Sequence, residues 1–125
     1  MSNIKYRQYL KKEFQRGNDV FHYWGYIDGA FVSPVGKNYT DEDSRQFTGL
    51  KDINGVDIYE GDIVSLWYAP TATAKGCIKF ENGGFYFKTL EAKPNIELAY
   101  NCVYGHGNEF TVIGNIHQNP EILNG

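Results

Sequence analysis

Three short turn motifs separate runs of aromatic and β-branched residues, and they constrain the fold more than any other feature of this sequence. They are Asp28-Gly29, Asn54-Gly55 and Asn82-Gly83. A type I′ turn requires positive φ at both central residues, which Asn and Asp tolerate and Gly adopts readily. Each motif therefore predicts a tight hairpin between two antiparallel strands.

The residues around these motifs predict the remaining elements. Glu60-Gly61-Asp62 predicts a further turn, and Thr40 with Asp43 fits a weakened capping box for one helical turn. The small and β-branched residues at 69–74 predict a mobile loop, whereas residues 96–103 fit either a strand or two helical turns. Strands are predicted at 4–10, 21–27, 30–32, 63–68, 76–80, 85–90 and 110–116.

This succession of short strands predicts a mainly β fold, namely a small antiparallel β-barrel-like domain with at most short helical turns. The chain has 125 residues, which fits a single domain. Within it, residues 1–40 are predicted to form an N-terminal β-hairpin region and residues 46–125 the barrel region. Closure of the barrel would remove the exposed edges of strands rich in aromatic residues.

The net charge, the cysteines and the hydropathy of the chain indicate the compartment in which the protein acts. The formal net charge is −3, so no overall positive field attracts a polyanion. Cys77 and Cys102 could pair, but two reduced thiols in a reducing cytoplasm are the simpler interpretation. No apolar run reaches the roughly 20 residues of a membrane helix, and the N-terminus lacks the apolar core of a signal peptide. We therefore predict a cytoplasmic protein that does not contact membranes.

The histidines and carboxylates offer little support for a metal site or a catalytic centre. His22, His106 and His117 are far apart and have no partner at metal-ligand spacing. Residues 52–57 faintly resemble a calcium loop but lack several of its oxygen ligands, so a hairpin turn is the better interpretation. We predict neither a metal nor a cofactor.

Three carboxylates at Asp57, Glu60 and Asp62 lie close enough in sequence to consider an acid–base pair. The structural interpretation is preferred, in which Asp62 accepts N–H groups of its own turn. The chain also lacks a nucleophile elbow, a phosphate-binding loop and a dinucleotide fingerprint. We therefore expect no catalytic residues and no enzymatic activity.

Two blocks of sequence resemble the YopX family of phage and prophage proteins. The first runs from Gln46 to Val64, and the second from Val112 to Leu123, in the family's order. Tyr6-Arg7 and Trp24-Gly25-Tyr26 are looser matches to the front of the family pattern. The matching signature positions are Thr48, Gly49, Leu50, Asp52, Asn54, Gly55, Ile58, Tyr59, Glu60, Gly61, Asp62, Gly114, Asn115 and Pro120.

This resemblance implies a small, phage-encoded β protein that acts in a bacterial host. The family brings no assigned activity and no agreed catalytic residues, so the resemblance implies a context and a fold. The signature positions are interpreted as structural.

The abundance of aromatic residues favours a binding module. Alternating strands cannot turn all of their aromatic side chains inward, and exposed aromatic clusters often mark contact surfaces. We expect the contact around Trp24, Tyr26, Trp67 and Tyr68, with a protein partner that is either a second copy or a host or phage protein. The alternative is that these aromatic residues form only the core and its rim.

A second class of partner is single-stranded nucleic acid, which small barrels bind by stacking bases on aromatic rings beside cations. Lys75, Lys79 and Lys88 flank the predicted hairpin and would supply that charge. The acidic balance and the absence of a basic cluster in the sequence make this the less favoured alternative.

Overall fold

The computed structural model describes residues 4–17, 19–69, 72–81, 84–89 and 110–124. In these ranges the chain forms β-strands and short 3-10 turns, and no α-helix is present. The 3-10 turns are Lys12–Phe14, Lys37–Tyr39 and Pro120–Asn124. The strands are β1 (Lys5–Tyr9), β2 (Phe21–Ile27), β3 (Ala30–Val32), β4 (Arg45–Lys51), β5 (Asp57–Tyr59), β6 (Asp62–Ala69), β7 (Ala72–Glu81), β8 (Gly84–Thr89) and β9 (Phe110–Asn115). The prediction of a mainly β fold is confirmed.

The chain divides into two compact units, with the boundary inside β4. The N-terminal unit is Met1–Phe47 and the C-terminal unit is Thr48–Gly125. In the N-terminal unit the strand order is β3-β2-β1-β4, and all neighbours are antiparallel. In the C-terminal unit the second half of β4 lies beside β5, and a separate antiparallel sheet has the order β8-β7-β6-β9.

The hairpin at Asp28-Gly29 is confirmed. Asp28 has φ 51° and Gly29 has φ 83°, so both central residues adopt the positive angles of a type I′ turn. The turn connects β2 to β3 and pairs Ile27 with Ala30. It thereby fixes the register of the outer strand of the N-terminal sheet.

The hairpin at Asn54-Gly55 is also present, but its turn differs from the predicted type. Gly55 has φ 82°, whereas Asp28 is the one non-glycine residue with positive φ in the described part of the chain. The Gly55 N–H donates to the Asp52 carbonyl (3.0 Å), and the Asp52 N–H donates to the Val56 carbonyl (2.8 Å). This pattern is a three-residue loop closed by a left-handed glycine. The type I′ prediction was wrong here because Asp52 starts the turn.

The main hydrophobic cluster of the C-terminal unit lies on one side of its four-stranded sheet, while the paired residues Ile63 and Cys77 are buried on the other side. Alternate residues of the strands point to this side, as the period of two along a strand requires. Leu50 and Val112 pack at its border and are partly buried. The fully buried cluster consists of Ile58, Val64, Leu66, Ile78, Phe85, Phe87 and Phe110.

Two local predictions were wrong. β6 extends to Ala69 and β7 begins at Ala72, and these residues pair, so residues 72–74 are strand where a loop was predicted. Pairing with β6 outweighs the weak strand propensity of Ala72 and Ala74, while the β-branched Thr73 favours a strand. The predicted helical turn after Thr40 is absent, because the 3-10 turn lies before it, at Lys37–Tyr39, and Thr40 is in extended conformation.

The other strand predictions are confirmed within the described ranges, including the pairing of Glu81 with Gly84 across the third motif. Predictions for residues 96–103, for the turn at 105–108 and for Cys102 fall outside the described residues. Cys77 lies on β7 and is buried. In the described part of the chain no pairing joins β8 to β9, so the sheet is observed as an open four-stranded one.

Candidate binding surfaces

The Asp52 carboxylate organises the turn between β4 and β5. It is 5% exposed, and its Oδ1 accepts the N–H groups of Asn54 (2.8 Å) and Val56 (2.9 Å). Its Oδ2 accepts the N–H of Val112 on β9 (2.8 Å). The carboxylate therefore connects the turn to a strand 60 residues away in sequence. Both oxygens serve N–H donors, which agrees with a hairpin turn rather than a calcium loop.

The three carboxylates considered for acid–base chemistry have different surroundings. Asp62 is 2% exposed and accepts the Tyr59 N–H (2.7 Å), so its predicted role in its own turn is confirmed. Asp57 forms a surface ion pair with Lys51 (2.6 Å). Glu60 lies in the turn between β5 and β6. This arrangement gives no evidence for a pair of carboxylates that share one proton.

Other signature residues stabilise the backbone around β4 and after β9. The Thr48 hydroxyl donates to the Ile58 carbonyl (2.8 Å) and accepts the Leu50 N–H (3.2 Å). The Asn115 Oδ1 accepts the N–H groups of His117 (3.0 Å) and Gln118 (2.8 Å). These contacts give the side chains of Thr48 and Asn115 a role in holding the local backbone.

The described histidines occupy separate places. The His22 Nε2 lies 2.7 Å from the Ser33 carbonyl, and His117 lies in the turn after β9. His106 falls outside the described residues. Within the ranges that the structure describes, no group of three His, Cys, Asp or Glu residues is placed to hold a metal ion.

One face of the N-terminal sheet carries four aromatic rings in two cross-strand pairs. Tyr6 and Trp24 are stacked with ring centroids 4.3 Å apart, and the Trp24 Nε1 donates to the Ser44 hydroxyl (2.9 Å). Tyr26 and Phe31 contact edge to face, with centroids 5.5 Å apart. Trp24 is partly buried, whereas Tyr26 and Phe31 are 55% and 57% exposed. We call Tyr26 and Phe31 the exposed aromatic pair.

The opposite face of the same sheet holds cations against aromatic rings. The Arg7 guanidinium lies 4.3 Å from the Phe21 ring centroid, and the Lys5 ammonium lies 4.4 Å from that of Phe47. Arg7 is buried, so its charge serves this internal stacking. On this face Tyr23 remains substantially exposed.

The residues of the predicted contact belong to two different units. Trp24 and Tyr26 share strand β2, while Trp67 and Tyr68 belong to β6 in the other unit, and their side chains lie outside the described part. Sequence reasoning missed Phe31. The Asp28-Gly29 turn contained the necessary information, because its register places Phe31 directly opposite Tyr26.

Within the described residues, no helix is long and apolar enough to cross a membrane.

Comparison with known proteins identifies the family. The crystal structure of protein EF1440 from Enterococcus faecalis is similar, with a TM-score of 0.55 and 22% sequence identity over 98% of this chain and 99% of that one. At this identity the similarity concerns the fold alone. No curated protein matches the chain. The sequence model described as YopX protein matches residues 33–124, which is most of the chain. The resemblance seen in the sequence is thereby confirmed, and the chain belongs to the YopX family.

Proposed function

We propose that this chain is a non-enzymatic phage or prophage accessory protein that associates with a second copy of itself through the exposed aromatic pair. The observation that carries the proposal is that Tyr26 and Phe31 both leave more than half of their surface exposed. Rings of this size contribute strongly to contacts when they become buried, about 1.5–3 kcal/mol for a large apolar side chain. An exposed pair therefore favours association.

The position of the pair suits a contact between copies. Phe31 is the central residue of β3, which is the outer strand of the N-terminal sheet, and Tyr26 lies beside it on β2. A patch made from one rigid hairpin has the same shape in every copy. Such a patch suits a two-fold interface, in which the same surface meets itself.

The stacked pair is next to the exposed pair on the same face of β2, since Trp24 and Tyr26 are two residues apart. Trp24 packs on Tyr6 and is fixed by its hydrogen bond to Ser44, so its indole has little freedom to rearrange. A rigid support lowers the entropy lost when the exposed rings become ordered in an interface. In this proposal Trp24 positions the contact and Tyr26 and Phe31 make it.

The buried pattern of hydrogen bonds supports a non-enzymatic role. Asp52 and Asp62, the two buried described carboxylates, accept backbone N–H groups within and beside their turns. A general acid or base needs a carboxylate that can reach a substrate proton. Because both buried carboxylates hold the backbone of turns, their hydrogen bonds favour a structural role over a catalytic one.

Two finer features belong to the same proposal. We place the protein in the bacterial cytoplasm, as the family resemblance suggests. We also propose that the four-stranded sheet closes into a small barrel. Support for closure comes from Phe87 on β8 and Phe110 on β9, whose rings approach to 5.5 Å although these strands are at opposite ends of the strand order.

Light scattering over a range of protein concentrations tests the self-association. The parent is expected to form a dimer whose mass persists at high salt, since an apolar contact is not screened by ions. The double variant Tyr26→Ser with Phe31→Ser is expected to be monomeric. A parent that stays monomeric at every concentration overturns the proposal.

The chain offers a matched control in the same unit. Phe14 and Tyr39 form another edge-to-face pair, with centroids 4.7 Å apart, and both rings are partly exposed. The double variant Phe14→Ser with Tyr39→Ser is expected to keep the mass of the parent. If this control becomes monomeric while the Tyr26 and Phe31 variant remains a dimer, the contact lies elsewhere.

A further inference from the structure

One side of the four-stranded sheet brings together three lysines and a tyrosine. Lys79 on β7 pairs directly with Tyr86 on β8, and Lys88 pairs with Cys77. Lys75 pairs with Ser65 on β6. Lys75, Cys77 and Lys79 follow one another at intervals of two residues along β7. Their side chains and those of their cross-strand partners therefore point to the same side of the sheet. We call Lys75, Lys79, Tyr86 and Lys88 the lysine face.

The lysine face is turned away from the buried cluster around Ile78 and Phe87, although Cys77 and its partner Ile63 are buried on the lysine side as well. The intervening residues Ile78 and Phe87 point to the other side and are fully buried there. Lys75 is exposed, and Lys79, Tyr86 and Lys88 are each partly exposed. Cys77 lies among them and is buried, so among the described residues of β7 and β8 the accessible part of this side consists of the three lysines, the Tyr86 ring and Glu81, which follows Lys79 by two residues.

The charge of this face is opposite to that of the unit that carries it. Residues 48–125 contain nine Asp or Glu residues and five lysines, with no arginine. Three of those five lysines lie on this one face, and within the described residues of β7 and β8 one carboxylate, that of Glu81, lies on the same side and contacts Lys88 (2.8 Å). An ion pair on the surface is worth about 0–1 kcal/mol, so a ligand phosphate can replace it. The lysine face therefore concentrates positive charge on one side of a unit whose net charge is negative.

We propose that the lysine face binds single-stranded nucleic acid. Its cations would meet the phosphates, and the Tyr86 ring would stack on a base, which is how proteins hold single strands without reading their sequence. The charge complementarity favours a polyanion, and the aromatic ring among the lysines favours one that carries flat bases. This surface lies in the C-terminal unit, so the inference does not depend on the exposed aromatic pair.

The spacing of the cations supports an extended ligand. Along β7 the three positions succeed one another as Lys75, then Lys88 opposite Cys77, then Lys79. Each step is two residues, or about 6.6 Å along a strand. Successive phosphates of an extended single strand can follow such a row. A duplex offers its bases only at groove edges, so Tyr86 could not stack on them.

Fluorescence anisotropy with a labelled oligothymidine tests the inference. For three phosphate contacts, the logarithm of the association constant is expected to fall with the logarithm of salt concentration at a slope of about −2. Each of Lys75→Gln, Lys79→Gln and Lys88→Gln should reduce that slope by about 0.7. The triple variant should lose binding. Lys51→Gln is the matched control, because Lys51 is an exposed lysine of the same unit on β4.

Tyr86 and Glu81 supply readouts that charge removal alone would not produce. Tyr86→Leu is expected to weaken binding about tenfold without changing the salt slope. Tyr86→Phe keeps an aromatic ring and is expected to bind as tightly as the parent. Glu81→Gln removes the carboxylate that competes for Lys88 and should tighten oligothymidine binding. This variant still tests the inference if the triple lysine variant does not fold.

The inference is overturned if the parent does not bind the oligothymidine at low salt, or if Lys51→Gln weakens binding as much as the lysines of the face. It is also overturned if Tyr86→Leu binds as tightly as the parent, or if poly-glutamate competes as well as unlabelled oligothymidine. Either of the last two results would mean that the face attracts any polyanion, including acidic proteins.

Discussion

Phe87 on β8 and Phe110 on β9 have ring centroids 5.5 Å apart, although their strands are the first and last of the four-stranded sheet. Three spacings of about 4.8 Å would separate these strands by roughly 14 Å in a flat sheet. The sheet must therefore be strongly curled, so that both rings reach the middle of the concave side. Each ring is at most 1% exposed.

Because this contact fills the middle of the curled sheet, Phe110→Ala should be strongly destabilising. We expect a loss of about 3–5 kcal/mol in the free energy of unfolding, as for other fully buried phenylalanines. Urea denaturation followed by tryptophan fluorescence measures it. Phe80→Ala is the control, since Phe80 is 46% exposed and contacts the Phe85 ring at its edge. It should cost under about 1.5 kcal/mol. Equal losses for the two variants would contradict the curled core.

Asp52→Asn should destabilise the chain more than a surface carboxylate does. The Asp52 carboxylate now accepts three backbone N–H groups with its two oxygens. The Asn side chain keeps only one oxygen, and its NH₂ group would face a backbone N–H, so that two donors would oppose each other. A hydrogen bond to a charged group contributes about 1.5–3 kcal/mol, and we expect a loss in that range. Asp57→Asn, which removes the charge that pairs with Lys51 at the surface, should cost under about 1 kcal/mol. Thermal unfolding by circular dichroism compares them, and the opposite order would refute the role of Asp52.

Gly76→Ala should disturb the packing between β7 and β8. A Cβ atom there would lie 2.5 Å from the Lys88 carbonyl oxygen and 2.5 Å from the Phe87 ring, and backbone cannot move aside as a flexible side chain can. Overpacking of this kind typically costs about 1–3 kcal/mol. At Gly36 a Cβ atom would meet only the Tyr39 ring at 3.8 Å, so Gly36→Ala should be close to neutral. Chemical denaturation of both variants tests this, and a neutral Gly76→Ala would contradict the close approach.

The sequence predicted features that depend on local conformation. Asp28-Gly29 requires only two positive φ angles, and the resulting turn is present. The Asn54-Gly55 hairpin was also predicted, but its turn type depended on Asp52. The contact of that carboxylate with Val112, 60 residues away, has no local signature.

Pairing between strands explains the remaining errors. Residues 72–74 are two alanines on either side of Thr73, and pairing with the partner strand β6 makes them extended. Lys75, Lys79 and Lys88 were noted as charges beside a hairpin, but their common face required the register between β7 and β8. Phe31 was missed because its significance depends on Tyr26 opposite to it, although the turn between them fixes that register.

Trp24→Phe distinguishes a supporting role of this residue from a contacting one. The variant keeps an aromatic ring for stacking on Tyr6 but loses the indole N–H that donates to Ser44. We expect stability to fall by about 1 kcal/mol, the usual value of one hydrogen bond. The dimer mass in light scattering should not change, because Tyr26 and Phe31 remain in place. Ser44→Ala removes the same hydrogen bond from the other side and should give a similar loss of stability with the same mass. If Trp24→Phe abolishes the dimer while Ser44→Ala leaves it intact, the indole itself makes the contact and Trp24 belongs to the interface.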